Sequence, residues 1–250
     1  MRVDGAPSPF HFVNEFTKDF SFSAACAVRP SPPRDFALDR VRRNISESTV
    51  RRLSFYLRIL EKAGSAGVDT MSSEGLAERT GTTAAQVRKD LSLFGSFGKR
   101  GFGYAVPQLA SELREILGLD RTWRVALVGG GRIGSALFEN GGFRQRGFEI
   151  VAVLDADPGK VGTRWGDVVL SDISTLEAVL RAESVDIVVL TIPSEAVPDV
   201  LDRVVAGGIR GILNFAPMQL RVPADVAVKD VHMVMEMEAL SFALSQTKGE

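Results

Sequence analysis

Two sets of residues in this chain have the types and spacing that chemistry needs. The first is Gly129-Gly130-Gly131-Arg132-Ile133-Gly134, which directly follows the apolar stretch Trp123–Val128. A second apolar stretch, Glu149–Leu154, ends at Asp155, 21 residues beyond Gly134. In a strand-turn-helix the first glycine permits the tight turn, the second lets backbone approach a pyrophosphate, and the third lets helix lie on strand. The helix N-terminus then faces the anion. A carboxylate ending the next strand accepts from the adenine-ribose hydroxyls and repels a 2′-phosphate. The expected cofactor is therefore NAD(H) rather than its phosphorylated relative.

The second set is basic. Between Thr80 and Tyr104 stand Arg88, Lys89, Lys99 and Arg100 against one acid, Asp90. Thr83-Ala84-Ala85-Gln86 fits a capping box, with the Gln reaching back. The helix that follows, Ala84 to about Phe94, places Val87, Leu91 and Phe94 on one side and Ala85, Arg88, Lys89 and Ser92 on the other. A small, basic outward face is what a recognition helix needs to enter a major groove. Gly95, Gly98, Gly101 and Gly103 then surround Lys99-Arg100, with Phe97, Phe102 and Tyr104 beside them. That composition predicts a hairpin wing with its cationic tip on phosphates.

These sites need scaffolds. Thr49–Ala63 carries Val50, Leu53, Leu57 and Leu60 at helical spacing, with Arg51, Arg52 and Arg58 off the stripe. Ser72 or Ser73 caps a short second helix, and Thr80-Gly81-Thr82 makes the turn. Pro107–Leu117 reads as a connecting helix stopped by Gly118. Beyond the glycine motif, strands (Val168–Leu170, Asp186–Ile192, Gly211–Phe215) alternate with helices (Ser174–Arg181, Val197–Ala206), which predicts a parallel sheet covered on both faces. Loops after the strands, with Thr191, Ile192, Pro193, Asn214 and Phe215, border the expected nicotinamide position. Val234–Leu244 is apolar on most sides and needs a cover.

The bulk numbers narrow the class. A chain of 250 residues with 45% apolar content holds one large domain or two ordinary ones. The net charge of −1 makes any basic surface local. The one Cys, Cys26, leaves no internal disulfide or cysteine-based zinc site and fits a reducing compartment, so a cytoplasmic protein is expected. Apolar runs are strand-sized, which argues against a membrane span. No metal ligand set stands out. Residues 1–43, rich in scattered Pro and Phe, read as a disordered extension, or as an arm whose Arg40, Arg42 and Arg43 touch DNA.

The stretches Thr49–Arg58 (TVRRLSFYLR), Gln86–Ser92 (QVRKDLS) and Phe97–Tyr104 (FGKRGFGY) resemble Rex, the bacterial redox-sensing transcriptional repressors. So do Gly129–Gly134, Asp155–Gly162 (DADPGKVG), Thr191–Pro193 and Gly211–Pro217 (GILNFAP). The resemblance runs from about Ile45 to Leu244. It implies a homodimer whose C-terminal helix is exchanged between subunits. It also implies a palindromic double-stranded DNA operator, and release of that operator by NADH but not by NAD+. Two positions depart from the family pattern: Asn140 stands where many members carry Tyr, and His232 where many carry Asp. Arg58, which resembles the family's ion-pairing arginine, is retained. These three are the switch candidates.

The expectation is thus an α/β protein. An N-terminal winged helix-turn-helix domain (residues 44–120) precedes a C-terminal Rossmann domain with a doubly wound parallel sheet (121–230) and a terminal dimerisation helix (231–250). The cofactor-binding residues are Gly129, Gly130, Gly131, Arg132, Ile133, Gly134, Asp155, Thr191, Ile192, Pro193, Asn214 and Phe215. The DNA-binding residues are Arg51, Arg52, Thr83, Gln86, Arg88, Lys89, Lys99 and Arg100. Two rival readings are a DNA-binding paralogue that ignores NADH and an NAD-dependent dehydrogenase. The second needs an acid or base beside the nicotinamide. The only histidines are His11 and His232, and no catalytic constellation accompanies them, so a non-enzyme is expected.

Overall fold

The computed structural model describes residues 45–98 and 101–246. The N-terminal extension with Cys26 and its arginines, and the wing-tip pair Lys99 and Arg100, lie outside the described residues.

The first half builds one apolar cluster from residues between Leu53 and Leu119. Helix α1 (Glu47–Ser65) begins at Ser46, whose hydroxyl accepts from the Thr49 amide. Its buried stripe is Leu53, Tyr56, Leu57 and Leu60. Strand β1 (Thr70–Met71) leads to α2 (Ser73–Thr80), capped by Ser72 and ended by Gly81 in the left-handed region. Helix α3 (Ala84–Ser92) is capped by Thr83, whose hydroxyl accepts from the Gln86 amide at 3.1 Å. Strand β2 (Tyr104–Ala105) leads directly into α4 (Val106–Ile116), with Pro107 in its first turn. Tyr104 pairs antiparallel with Met71, ahead of α2, and the tip of the expected wing lies outside the described residues. A two-residue strand has no period to read, so β1 is invisible in the sequence.

The second half is a six-stranded parallel sheet. Its strands are β3 (Trp123–Val128), β4 (Phe148–Asp155), β7 (Ser171–Asp172), β8 (Ile187–Leu190), β9 (Gly211–Asn214) and β10 (Ala227–Asp230), ordered β10-β9-β8-β3-β4-β7. The chain turns from one wing of the sheet to the other between β3 and β8, and such a switch point opens a crevice at the strands' carboxyl ends. Between β3 and β4 lie α5 (Arg132–Glu139) and α6 (Gly142–Gln145), and β5 (Arg164–Trp165) and β6 (Val168–Val169) form a small hairpin. Helices α7 (Leu176–Ala182) and α8 (Val197–Ala206) cover one face, burying Ala126, Val128, Leu154, Val188 and Leu190. The other face holds Val125, Leu127, Val153 and Val189, with Leu137, Phe138 and Trp165 packed over part of it. The rest is an apolar groove of about 410 Å³ lined by residues such as Leu127, Phe148, Ile150, Ile187 and Leu213. Strand β10, exposed at the sheet edge and carrying Lys and Asp, was not predicted. Helix α9 (Met233–Gln246) buries none of its residues.

Helix α1 also ties the halves together. Glu47, in its first turn, pairs with Lys229 of β10 at 2.6 Å. Glu61, near its end, pairs with Arg146 just past α6 at 2.7 Å and with Arg114 of α4.

Candidate nucleotide and nucleic-acid sites

At the carboxyl end of β3 the backbone folds on itself with no room for side chains. A Cβ on Gly134 would sit 2.0 Å from the Gly129 carbonyl oxygen. One on Gly129, whose φ is +110°, would sit 2.7 Å from the Thr191 carbonyl oxygen. Thr191 fixes this turn from the neighbouring strand, its hydroxyl donating to the carbonyls of Gly129 (2.8 Å) and Val128 (3.1 Å). The front of α5 is different. A Cβ on Gly131 would meet nothing within 4 Å, and no side chain caps the helix. Open amides at a helix N-terminus over a glycine turn fit a pyrophosphate.

Asp155 ends β4 beside that turn. Its Oδ2 accepts from the Gly130 amide at 2.6 Å and from Lys160 Nζ at 3.1 Å; Oδ1 accepts from the Asp157 amide at 2.8 Å. Burial pushes its carboxyl up. The Asp157 amide, Lys160 and the Gly130 amide outweigh burial and hold it below the ordinary aspartate value. It is therefore an ionised acceptor at neutral pH, with about one lone-pair site left for a ribose hydroxyl. The donor set fits a dinucleotide whose second ribose carries free hydroxyls.

A cavity of about 690 Å³ opens further along the strand ends, lined by Ile133, Phe215, Pro217, Met218, His232 and Met235. It brings Ile133 and Phe215 together. Ile192 is half-buried and packs against the helix-covered core. Asn214 is fully buried, and its side-chain amide is spent within the protein. Nδ2 donates to Met218 O (2.9 Å), Ala216 O (3.2 Å) and Asp230 Oδ1 (2.7 Å), and Oδ1 accepts from the Ala216 amide (3.0 Å). A buried amide must be satisfied somewhere; here it shapes the Phe215–Met218 loop rather than facing a ligand. Pro193 precedes the short turn Ser194–Ala196 before α8. Arg132 is exposed on the first turn of α5.

The basic face of α3 rests on a polar core. Asp90, the one acid of the cluster, is buried and accepts four hydrogen bonds. Two come from Arg52 (2.6 and 2.8 Å), one from the Tyr56 hydroxyl (2.9 Å) and one from Gln86 (2.7 Å). Burial pushes the Asp90 carboxyl up, but Arg52, Gln86 and Tyr56 together hold it below its ordinary value. Burial also drives the Tyr56 hydroxyl well above its ordinary value, reinforced by Asp90. Two expectations change as a result. The Gln86 side chain reaches forward to Asp90 instead of back to its cap. Arg52 turns inward to pair with the buried carboxylate, which would otherwise be left as an uncompensated buried charge.

What remains outside is Arg51, Arg88 and Lys89. Arg51 pairs loosely with Glu47 at 3.4 Å. Arg88 donates to Ser73 Oγ at 2.8 Å and Glu74 at 3.1 Å, both partners near the N-terminus of α2. The Lys89 ammonium has no partner among the described residues. Exposed pairs are weak and exchangeable, so both cations of α3 stay available. Of the switch candidates, Arg58 is exposed without a hydrogen bond or ion pair among the described residues. Asn140 accepts from the Gly142 amide at 3.0 Å in the turn between α5 and α6. Asn140 and His232 line different cavities. The sequence reading passed over Lys160, Tyr56 and Glu61. Lys160 alone carried a signal, standing five residues after the ribose carboxylate. Among the described residues, no helix is long and apolar enough to cross a membrane and no acidic, His or Cys cluster could hold a metal ion.

A helix-turn-helix with a basic third helix, joined to a doubly wound domain with a glycine cradle, defines a DNA-binding regulator with a nucleotide-type ligand domain. The comparisons agree. Residues 44–92 match the family model "Putative DNA-binding protein N-terminus" and residues 120–218 the "CoA binding domain" model. The chain is 45% identical over 198 residues to a redox-sensing transcriptional repressor Rex of Carboxydothermus hydrogenoformans, covering 79% of this chain and 95% of that one. It is 47% identical over 204 residues to that of Thermus aquaticus, covering 82% and 96%. Among solved structures it resembles the Rex-family repressor RSP in complex with beta-NAD+ and operator DNA, with TM-score 0.78, 36% identity, and 82% and 94% of the chains covered. The beta-NADH complex of RSP gives TM-score 0.74 at 35% identity, covering 82% and 96%. The chain belongs to the Rex family of redox-sensing transcriptional repressors.

Proposed function

We propose that this protein is a cytoplasmic transcriptional repressor that binds a palindromic operator as a homodimer and leaves it when NADH enters the C-terminal domain. The observation that carries the reading is the pairing, in one chain, of an α3 face bearing Arg88 and Lys89 with a Gly129–Gly134 cradle ended by Asp155. The likeness to a relative solved with operator DNA and NAD+, and again with NADH, supports it.

In this reading Arg88 and Lys89 read or approach base edges, Arg51 and Thr83 lie near the backbone, and Lys99 and Arg100 hold phosphates from the wing. Arg52 and Gln86 act through Asp90, as positioning residues for α3. The α5 amides take the pyrophosphate and Asp155 the adenine ribose. When bound, the nucleotide supplies a nicotinamide ring that is cationic only in its oxidised form. The walls made by Ile133, Phe215 and Met218 favour the uncharged ring, which gives the differential binding a switch requires. We assign the chain no catalytic role.

Homodimerisation rests on α9. Met233, Val234, Met235, Met237, Leu240, Phe242 and Leu244 are 53–70% exposed in the single chain. An apolar helix of this size needs a cover, and the open groove on the sheet offers one to the α9 of a second copy. Arg58, Asn140 and His232 would then act only in the dimer.

The test is fluorescence anisotropy of a labelled operator from upstream of the protein's own gene, at fixed salt, with no ligand, NAD+ or NADH. Release by NADH alone is expected. Tight binding untouched by NADH would favour the NADH-insensitive reading and point to Asn140 and His232.

A further inference from the structure

The ribose end of the nucleotide site contains a cation that the fold itself positions. Lys160 sits at the end of the turn after β4, its amide donating to the Asp157 carbonyl at 2.9 Å and its carbonyl accepting from the Thr163 hydroxyl at 2.7 Å. Its ammonium lies 3.1 Å from Asp155 Oδ2 and 3.8 Å from Asp157 Oδ2. The Asp155 side chain is 11% exposed and that of Lys160 39%, so the cation is the more open member of the pair. Asp155 is fixed on three sides, by the Gly130 amide, the Asp157 amide and Lys160.

We propose that Lys160 is a specificity-determining residue of the nucleotide site: it orients Asp155 toward a ribose diol, and it is a phosphate-binding cation that Asp155 keeps engaged. The inference rests on the nucleotide reading above. Two consequences follow from charge alone. Without Lys160, Asp155 carries an uncompensated charge and rejects a 2′-phosphate more strongly. Without the Asp155 charge, Lys160 is released toward the position a 2′-phosphate would take, much as a nearby cation accommodates it in other dinucleotide sites.

Calorimetric titration of the full-length protein with NADH and with NADPH tests this. Wild type should prefer NADH. Lys160→Met should weaken NADH about tenfold, because Asp155 is no longer held toward the diol, and widen the NADPH:NADH ratio of dissociation constants. Lys160→Arg should restore the ratio. Asp155→Asn should narrow it about tenfold, and Asp155→Asn combined with Lys160→Met should not. An unchanged ratio in Lys160→Met, or the same narrowing with and without Lys160, overturns the proposal, because a purely structural lysine would weaken both nucleotides alike. Wild-type protein that binds neither nucleotide would overturn the nucleotide reading and this inference with it. Lys160 is partly exposed, so its variants keep the test open should Asp155→Asn fail to fold.

Discussion

The two halves solve opposite problems of presentation. The DNA-facing half must display side chains, so it buries a polar network under them. Asp90 gathers Arg52, Tyr56 and Gln86 from two helices, and the crossing of α1 over α3 is fixed by directional hydrogen bonds as well as by Leu53, Val87 and Leu91. The nucleotide-facing half must display backbone, so it removes side chains. Gly129 and Gly134 let two carbonyls approach distances that a Cβ forbids. The first half should therefore fail when a charge is unpaired and the second when a methyl is added. The buried ion pair of the first half depends on pH, whereas the glycine turn of the second does not.

Asp90→Ala breaks the comparison hardest. It leaves the partly buried Arg52 guanidinium unpaired, at a cost of about 3–5 kcal/mol. Calorimetry should show the N-terminal transition shifted down or lost, with NADH affinity kept. The same group sets an acid limit. Its folded pKa is depressed below 3.8, so its contribution is complete at neutral pH and is lost as pH falls through the folded value. Asp90→Asn should flatten that acid dependence, and an unchanged acid profile would remove Asp90 from the role assigned here.

Gly134→Ala is the counterpart. The added methyl must displace the Gly129 carbonyl, at a cost of about 1–3 kcal/mol in the second half. NADH binding should fall below detection by titration, while the N-terminal transition stays in place. Retained NADH affinity would show that the turn can relax, and the steric account would fail.

The smallest effect sharpens the comparison by asking how the halves speak to each other. Arg146→Gln removes the Glu61–Arg146 pair between them. A half-exposed ion pair of this kind contributes about 0.5–1 kcal/mol. Operator affinity without ligand and NADH affinity should each change less than about fivefold. The NADH-induced loss of operator affinity should shrink, because this is one of two ion pairs, among the described residues, that join α1 to the nucleotide half. Coupling that survives both Arg146→Gln and Lys229→Gln would show that α1 is not the route.

Much of this molecule is written locally. Helical spacing determined α1, α3 and α4, since apolar residues three and four apart must share one face. Thr83 determined where α3 starts. The glycine run, its preceding strand and Asp155 determined the cradle, because few side chains tolerate those distances and few residues but an acid suit that strand end. The sequence also marked the apolar terminal helix and the basic α3. Tertiary structure decided the rest, where partners far apart in the chain compete for a group. Arg52 and Gln86 look like DNA contacts until Asp90, 38 residues from Arg52, claims them. Asn214 looks like a ligand contact until burial obliges it to satisfy its own loop. Glu61 takes its meaning from Arg146, 85 residues away. Patterning along a chain reports which face a residue takes, but the partner that wins a buried or charged group is set only when distant segments meet at hydrogen-bond distance.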